Sequence, residues 1–135
     1  MSESQVNVRY MVSDVAEAVD WYVGHLGFAP VGPASPAFAA VERGAVRLLL
    51  SGPASSAGRA MPDGRRPEPG GWNRLQLVYD DVAAEVERLR GRGVSFRNEL
   101  LSGPGGSQIM AEDPSGNVVE LFQPAALFSQ PKTGA

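Results

Sequence analysis

Apolar positions along this chain follow two rhythms, one of strands and one of helices, and the pair of rhythms comes round twice. Val6 to Val12 is rich in β-branched and aromatic residues and reads as a strand. Ser13-Asp14 then opens a stretch in which Val15, Val19, Tyr22 and Leu26 fall at i, i+4, i+7 and i+11, one face of a helix. Gly27 follows immediately, as suits a residue just past a helix end. Leu75 to Tyr79 is a second β-prone run, followed by Asp80-Asp81, by Val82, Val86 and Leu89 at i, i+4 and i+7, and by Gly93. Asp14 and Asp81 are 67 positions apart and the two glycines 66, so the stretches superimpose with one residue of slack. Each aspartate stands at the helix N-cap position, where its carboxylate accepts a free amide and meets the positive end of the helix dipole.

The β-rich remainder repeats more loosely. Gly44-Ala45-Val46-Arg47-Leu48-Leu49-Leu50 resembles Gly116-Asn117-Val118-Val119-Glu120-Leu121-Phe122, with the two glycines 72 apart. A candidate strand precedes each, Phe38 to Glu42 and Gln108 to Glu112, and Asp113-Pro114-Ser115-Gly116-Asn117 is a strong reversal signal. Each half therefore predicts a strand, a helix and three strands: an α+β chain of two tandem βαβββ modules. Module one spans about 6–51 and module two about 73–124. The segment 52–72 holds nine Gly or Pro in 21 residues, which excludes a continuous helix or a central strand. It reads as a surface linker or as a loop closing over a pocket, with Arg65-Arg66 and Trp72 as its notable side chains. The polar tail, 129–135, is expected to fray.

Composition narrows the chemistry. At 135 residues, 43% hydrophobic and 20% charged, the chain is of single-domain size and can fill a core of its own. The absence of cysteine removes disulfides, zinc fingers, thiolate nucleophiles and iron–sulfur sites, and a single histidine, His25, removes any site needing two imidazoles from one chain. A net charge of −3 argues against nucleic acid or an anionic membrane as a partner recognised by bulk charge. The longest apolar run is five residues, Ala37 to Val41, and the N-terminus carries neither a basic segment nor an apolar one, so a cytoplasmic protein is expected. His25 falls at the end of the first helix, where an imidazolium meets the dipole favourably.

Taken in order, Val8-Arg9-Tyr10-Met11-Val12-Ser13-Asp14, Trp21-Tyr22 with Leu26-Gly27-Phe28, and Asp113 to Asn117 running into Glu120-Leu121-Phe122 resemble the vicinal oxygen chelate superfamily. This group includes glyoxalase I, extradiol dioxygenases, fosfomycin-resistance enzymes and bleomycin-resistance proteins, and the resemblance covers about Val6 to Pro124. It implies a glyoxalase/bleomycin-resistance fold whose mixed sheets form a cup for a metal or a ligand, and, for a chain of this size, a homodimer. Catalytic members usually place histidine on the first strand of each module and glutamate on the last strand of the second. By the resemblance those positions fall on Asn7 and Arg74, with Leu48 and Glu120 on the last strands. Only Glu120 keeps a metal-binding side chain, so no metal and no cofactor is expected: arginine stays protonated and would repel a divalent ion.

Strand alternation from those positions gives one candidate set of site residues. With Asn7, Leu48, Arg74 and Glu120 taken as facing the cup, Arg9, Met11, Val46, Leu50, Gln76, Val78, Val118 and Phe122 share their phase. Val8, Tyr10, Val12, Leu75, Leu77, Val119 and Leu121 would then pack on the helices. The ligand-binding set is accordingly Asn7, Arg9, Met11, Leu48, Leu50, Trp72, Arg74, Gln76, Glu120 and Phe122, with Arg74 and Arg9 as donors to an anionic or carbonyl group. Apolar walls with a few fixed polar groups suit a small organic molecule. Two functions fit: a non-enzymatic binder similar to bleomycin-resistance proteins, or a metal-independent isomerase, lyase or hydrolase with Glu120 as general base. The alternative reading of Arg74 and Glu120 is a structural pair filling a vestigial metal site.

Overall fold

The computed structural model describes residues 6–126; the tail expected to fray, 129–135, lies outside them. The chain forms two compact units, one of residues up to Trp72 together with Asp113–Asn117, the other of Asn73–Glu112 together with residues from Val118 onward. The first holds β1 (Val6–Met11), α1 (Val15–Leu26), β2 (Ala29–Val31), β3 (Phe38–Arg43) and β4 (Val46–Ser51). Its sheet runs β1-β4-β3-β2, with β1 parallel to β4 and the other pairs antiparallel. The second holds β5 (Leu75–Val78), α2 (Val82–Gly91), β6 (Ser95–Phe96), β7 (Leu101–Gly103), β8 (Gly106–Glu112) and β9 (Val118–Pro124). Its order is β5-β9-β8-β6, with β5 parallel to β9 and the short extra strand β7 paired to β8. In each unit the first strand lies beside the last, and such a parallel pair requires a crossover, which the helix begins. The two βαβββ modules expected from the sequence are present.

Both helices start where the aspartates predict. Asp14 accepts from the Glu17 amide at 3.0 Å and Asp81 from the Ala84 amide at 3.1 Å. α1 ends on Gly27, whose φ of 73° is a left-handed conformation that costs a residue without Cβ nothing. The buried stripe of α1 is Val15, Ala18, Trp21, Tyr22 and Leu26, with Val19 only half-buried at its margin. It packs on β3 and β4 over Ala39, Val41, Leu48 and Leu50, all buried. In the second unit Val82, Val86 and Leu89 are buried as predicted, with Leu77, Ile109, Ala111, Val119 and Leu121 in the same core. Each of these larger side chains contributes about 1.5–3 kcal/mol by leaving water. Gly106 marks a close approach: at φ 142° a Cβ there would overlap the Gln123 carbonyl on the neighbouring strand.

The parallel registers fix which residues share a face, and they correct one expectation. Val8 stands beside Leu48 and Tyr10 beside Leu50, so Leu48 and Leu50, with Val46 beside Val6, belong to the helix-covered face and not with Asn7 and Arg9. Both leucines are fully buried there. The face of Asn7, Arg9 and Met11 instead carries Arg47, Leu49 and Ser51 from β4. The cause is the offset between the modules: Val8 pairs with Leu48 and Leu75 with Val119, so the last strands correspond at 71 positions (119 − 48), whereas Gly44 and Gly116 lie 72 apart and matching them shifts the strand phase by one. In the second unit the expected phase holds, with Gln76 beside Glu120 and Val78 beside Phe122.

Segment 52–72 is tied down within the first unit. Residues 52–58 close through Ser55 N–H to Gly52 O and Gly58 N–H to Ser55 O, at 3.1 and 3.0 Å, around a 3₁₀ turn at Ser56–Gly58. Met61 and Gly64 close a further turn, and Gly70 N–H donates to Asn117 Oδ1 at 2.7 Å.

Asn117 belongs to a buried polar cluster. The Asp113 carboxylate accepts from the Tyr22 hydroxyl at 2.8 Å, from Asn117 Nδ2 at 3.0 Å, and from the Ser115 and Asn117 amides, both at 2.9 Å. Asn117 Nδ2 also donates to the Met11 carbonyl at 2.7 Å. Tyr22 is in turn the hub of edge-to-face contacts with Tyr10, Trp21 and Phe28. Burial, reinforced by the Asp113 charge, raises the Tyr22 phenol far above its ordinary value.

Removing one partner from this cluster strands the others. Tyr22→Phe is expected to lower stability by about 1 kcal/mol, and Asp113→Ala by about 2–4 kcal/mol, in urea unfolding. A tyrosine raised in the folded state contributes nothing pH-dependent below the unfolded value of about 10, and stability falls as pH rises beyond it. The wild type should therefore lose stability more steeply above that pH than Tyr22→Phe; parallel slopes would remove the phenol from this role.

Candidate functional site

On the face of the second sheet opposite α2, Glu120 sits in the middle of β9 with only 6% of its surface exposed. Parallel pairing brings Gln76 beside it and Arg74 one step beyond the start of β5. Both carboxylate oxygens are engaged: Arg74 Nε donates to Oε1 at 2.9 Å and Gln76 Nε2 to Oε2 at 2.7 Å. A buried carboxylate needs such partners, since an unpaired one costs several kcal/mol. The site is thus a charge-paired clamp with the outer parts of Arg74 and Gln76 exposed to solvent. Val118, Met110 and Phe122 share the face and give it apolar neighbours.

In the first unit Asn7 and Arg9 are exposed on β1 and Met11 is half-buried. Arg9 Nη1 donates to the buried Ser51 Oγ at 2.8 Å. Sequence reasoning missed Ser51, because the parallel register that places it beside Met11 differs by one residue from the one that matching Gly44 to Gly116 implies. Trp72 is 65% exposed at the end of the loop. His25 lies in the last turn of α1, its ring edge-on to Trp21 at 5.9 Å between centroids, in the helix-end place expected of it.

The donor set around Glu120 does not fit the metal that the resemblance would supply. A cation needs lone pairs, yet the carboxylate faces a guanidinium and an amide N–H, and Asn7 occupies the other first-strand position. Among the described residues, no three His, Cys, Asp or Glu side chains are grouped to hold an ion. A cavity of about 620 Å³ opens in the first unit, where the start of α1 meets residues 34–36. Two of its polar side chains are committed to local structure: Asp14 caps α1 and the Ser35 hydroxyl holds the amides of Ala37 and Phe38. Among the described residues, no helix is long and apolar enough to cross a membrane.

Comparison with known proteins agrees with this architecture. TnmS3, an antibiotic binding protein from Streptomyces, is 32% identical, with 93% of this chain and 99% of that chain covered and a TM-score of 0.69. A member of the Glyoxalase/bleomycin resistance protein/dioxygenase superfamily from Sphaerobacter thermophilus is 28% identical over 90% of this chain and 98% of its own, with a TM-score of 0.71. Lactoylglutathione lyase from Agrobacterium tumefaciens shares the fold at 20% identity, covering 96% and 98% of the two chains with a TM-score of 0.71. No curated protein matches the chain. The sequence model of the Glyoxalase/Bleomycin resistance protein/Dioxygenase superfamily matches residues 4–121, and the chain belongs to that superfamily.

Proposed function

We propose that the protein binds a small organic molecule, without metal and without turning it over, on the sheet face that carries Arg74, Gln76, Glu120 and Phe122. The observation that carries this reading is the clamp on Glu120, both of whose oxygens accept hydrogen bonds from the chain's own donors. These donors take two of the roughly four lone-pair sites of the carboxylate, and the guanidinium at 2.9 Å balances the charge with which a general base would draw a substrate proton. The role of Glu120 is instead to hold the guanidinium, whose remaining N–H groups suit a carbonyl or anionic group on the ligand. Phe122 and Met110 supply apolar surface for the rest of the molecule. The likeness to an antibiotic binding protein supports a natural-product ligand of antibiotic type. We extend the reading to a homodimer working in the cytoplasm. Val6 and Val78, 59% and 57% exposed on the end strands β1 and β5, support association, because end strands with apolar side chains invite a partner.

Elemental analysis of the purified, untagged protein is expected to find no stoichiometric transition metal after growth with added nickel and zinc; one metal per chain, lost on Glu120→Ala, would overturn the metal-free reading. In titrations with carbonyl-bearing aromatic antibiotics followed by tryptophan fluorescence, Arg74→Leu should weaken binding by about 2–5 kcal/mol. The ligand should be recovered at unchanged mass. Unchanged affinity with a lowered thermal midpoint in both Arg74→Leu and Glu120→Gln would make the clamp structural, and a ligand of altered mass would make the protein an enzyme. Light scattering should give twice the chain mass of 14.3 kDa; the single-chain value would refute the dimer.

A further inference from the structure

A separate cradle lies within the first unit, made of none of the residues in the clamp. A cavity of about 460 Å³, within the range of small-ligand pockets, is lined by Arg9, Ala37, Phe38, Ala54, Ser55 and Ser56. Its charge is one-sided. Among the described residues Arg9 forms no ion pair, whereas Arg47, Arg65, Arg74, Arg88, Arg90 and Arg97 each face a carboxylate. Arg9 is nonetheless oriented, because Nη1 donates to Ser51 Oγ and Ser51 is completely buried. That bond uses one N–H of five and leaves an edge of the guanidinium for a second, planar acceptor.

The walls are built in advance of any ligand. Gly52 N–H donates to Ala37 O at 2.9 Å, and buried Ser55 turns its hydroxyl onto Gly52 O at 2.7 Å. Gly58 closes so tightly over Pro53 that a Cβ would lie 2.7 Å from the Pro53 carbonyl. The side chains around Arg9 are an aromatic ring and two methyl groups, with the exposed Ser56 hydroxyl as a further donor.

We propose that this cradle binds a small aromatic carboxylate, the carboxylate forked by Arg9 and the ring laid on Phe38, Ala37 and Ala54. A carboxylate matches the planar guanidinium edge, and an aromatic ring takes up apolar wall that a hydrated inorganic anion leaves unmatched. The assignment stands whether or not Arg74 binds a ligand.

The test is a titration of the ¹⁵N-labelled full chain with benzoate, inorganic phosphate and benzylamine, read at the amides of Phe38, Ser55 and Ser56. The same titration of Arg74→Leu separates the cradle from the clamp: an unchanged benzoate response assigns the signal to the cradle, and its loss would overturn that assignment. Benzoate should shift them saturably, phosphate more weakly, and benzylamine not at all. Arg9→Gln should weaken benzoate by about tenfold, with Arg9→Lys, which keeps the charge but loses the fork, falling between. Arg9 projects from an exposed position, and spectra that overlay away from the cradle will show each variant folded. Unmoved amides in the wild type, equal affinity in Arg9→Gln, phosphate binding as tightly as benzoate, or a response to benzylamine would each overturn the proposal.

Discussion

The first unit is organised around one carboxylate. Asp113 accepts four hydrogen bonds while 5% exposed, and those bonds reach the phenol at the centre of the aromatic core and the side chain of Asn117. Asn117 passes the constraint on, to the carbonyl at the end of β1 and to the Gly70 amide in the long loop. A buried charge is tolerated because every lone pair it presents is used; losing any donor turns a neutral balance into a penalty of one to several kcal/mol. Strand end, helix, turn and loop are thereby held to a common geometry. The Arg9 cradle inherits it, since Ser51 O receives the Val12 amide where β1 runs out and Gly52 begins the wall.

The second unit solves a similar problem differently. Glu120 is buried at the middle of a strand, and its donors come from the neighbouring strand, where the spacing of a parallel pair sets their positions. Asp113 faces a phenol and amides and knits a core together. Glu120 faces an arginine and a glutamine whose outer parts reach solvent, and so it conditions a surface. The first carboxylate holds the interior of its unit together, and the second fixes the side chains of an exposed sheet face.

Much of the fold was legible in the sequence because its signals are local. Helix periodicity, the capping aspartates and Gly27 depend on residues within a few positions of one another, and they located both helices and the repeat. The clamp was legible too, since Gln76 and Glu120 keep phase across one parallel pair. What failed was the phase of β4: Leu48 and Leu50 were assigned to the ligand face by matching Gly44 to Gly116, 72 positions apart, whereas Leu48 and Val119, which hold equivalent places in the two parallel pairs, lie 71 apart. A one-residue slip turns every side chain of a strand to its other face, and a matching glycine does not report which of two adjacent registers the parallel pair takes. Ser51 and Phe38 reach Arg9 through the registers of β4 with β1 and of β3 with β4, and residues 54–56 through hydrogen bonds that close a Gly- and Pro-rich loop, which carries no periodic signal.

The turn at Asp113–Asn117 also bears on the order in which the protein is made. The amino-terminal module leaves the ribosome first, and its strands and helix are all synthesised by Ser51. Yet the phenol in its core, the carbonyl that ends β1 and the Gly70 amide of its loop have partners encoded at positions 113 and 117, with Tyr22 and Asp113 separated by 91 residues. Until Asn117 emerges, that module can collapse but cannot satisfy its interior. Nascent chains ordinarily fold amino-terminal units first; here the earlier half waits for the later one, and a stop codon placed after Trp72 would yield a module with its central acceptor missing.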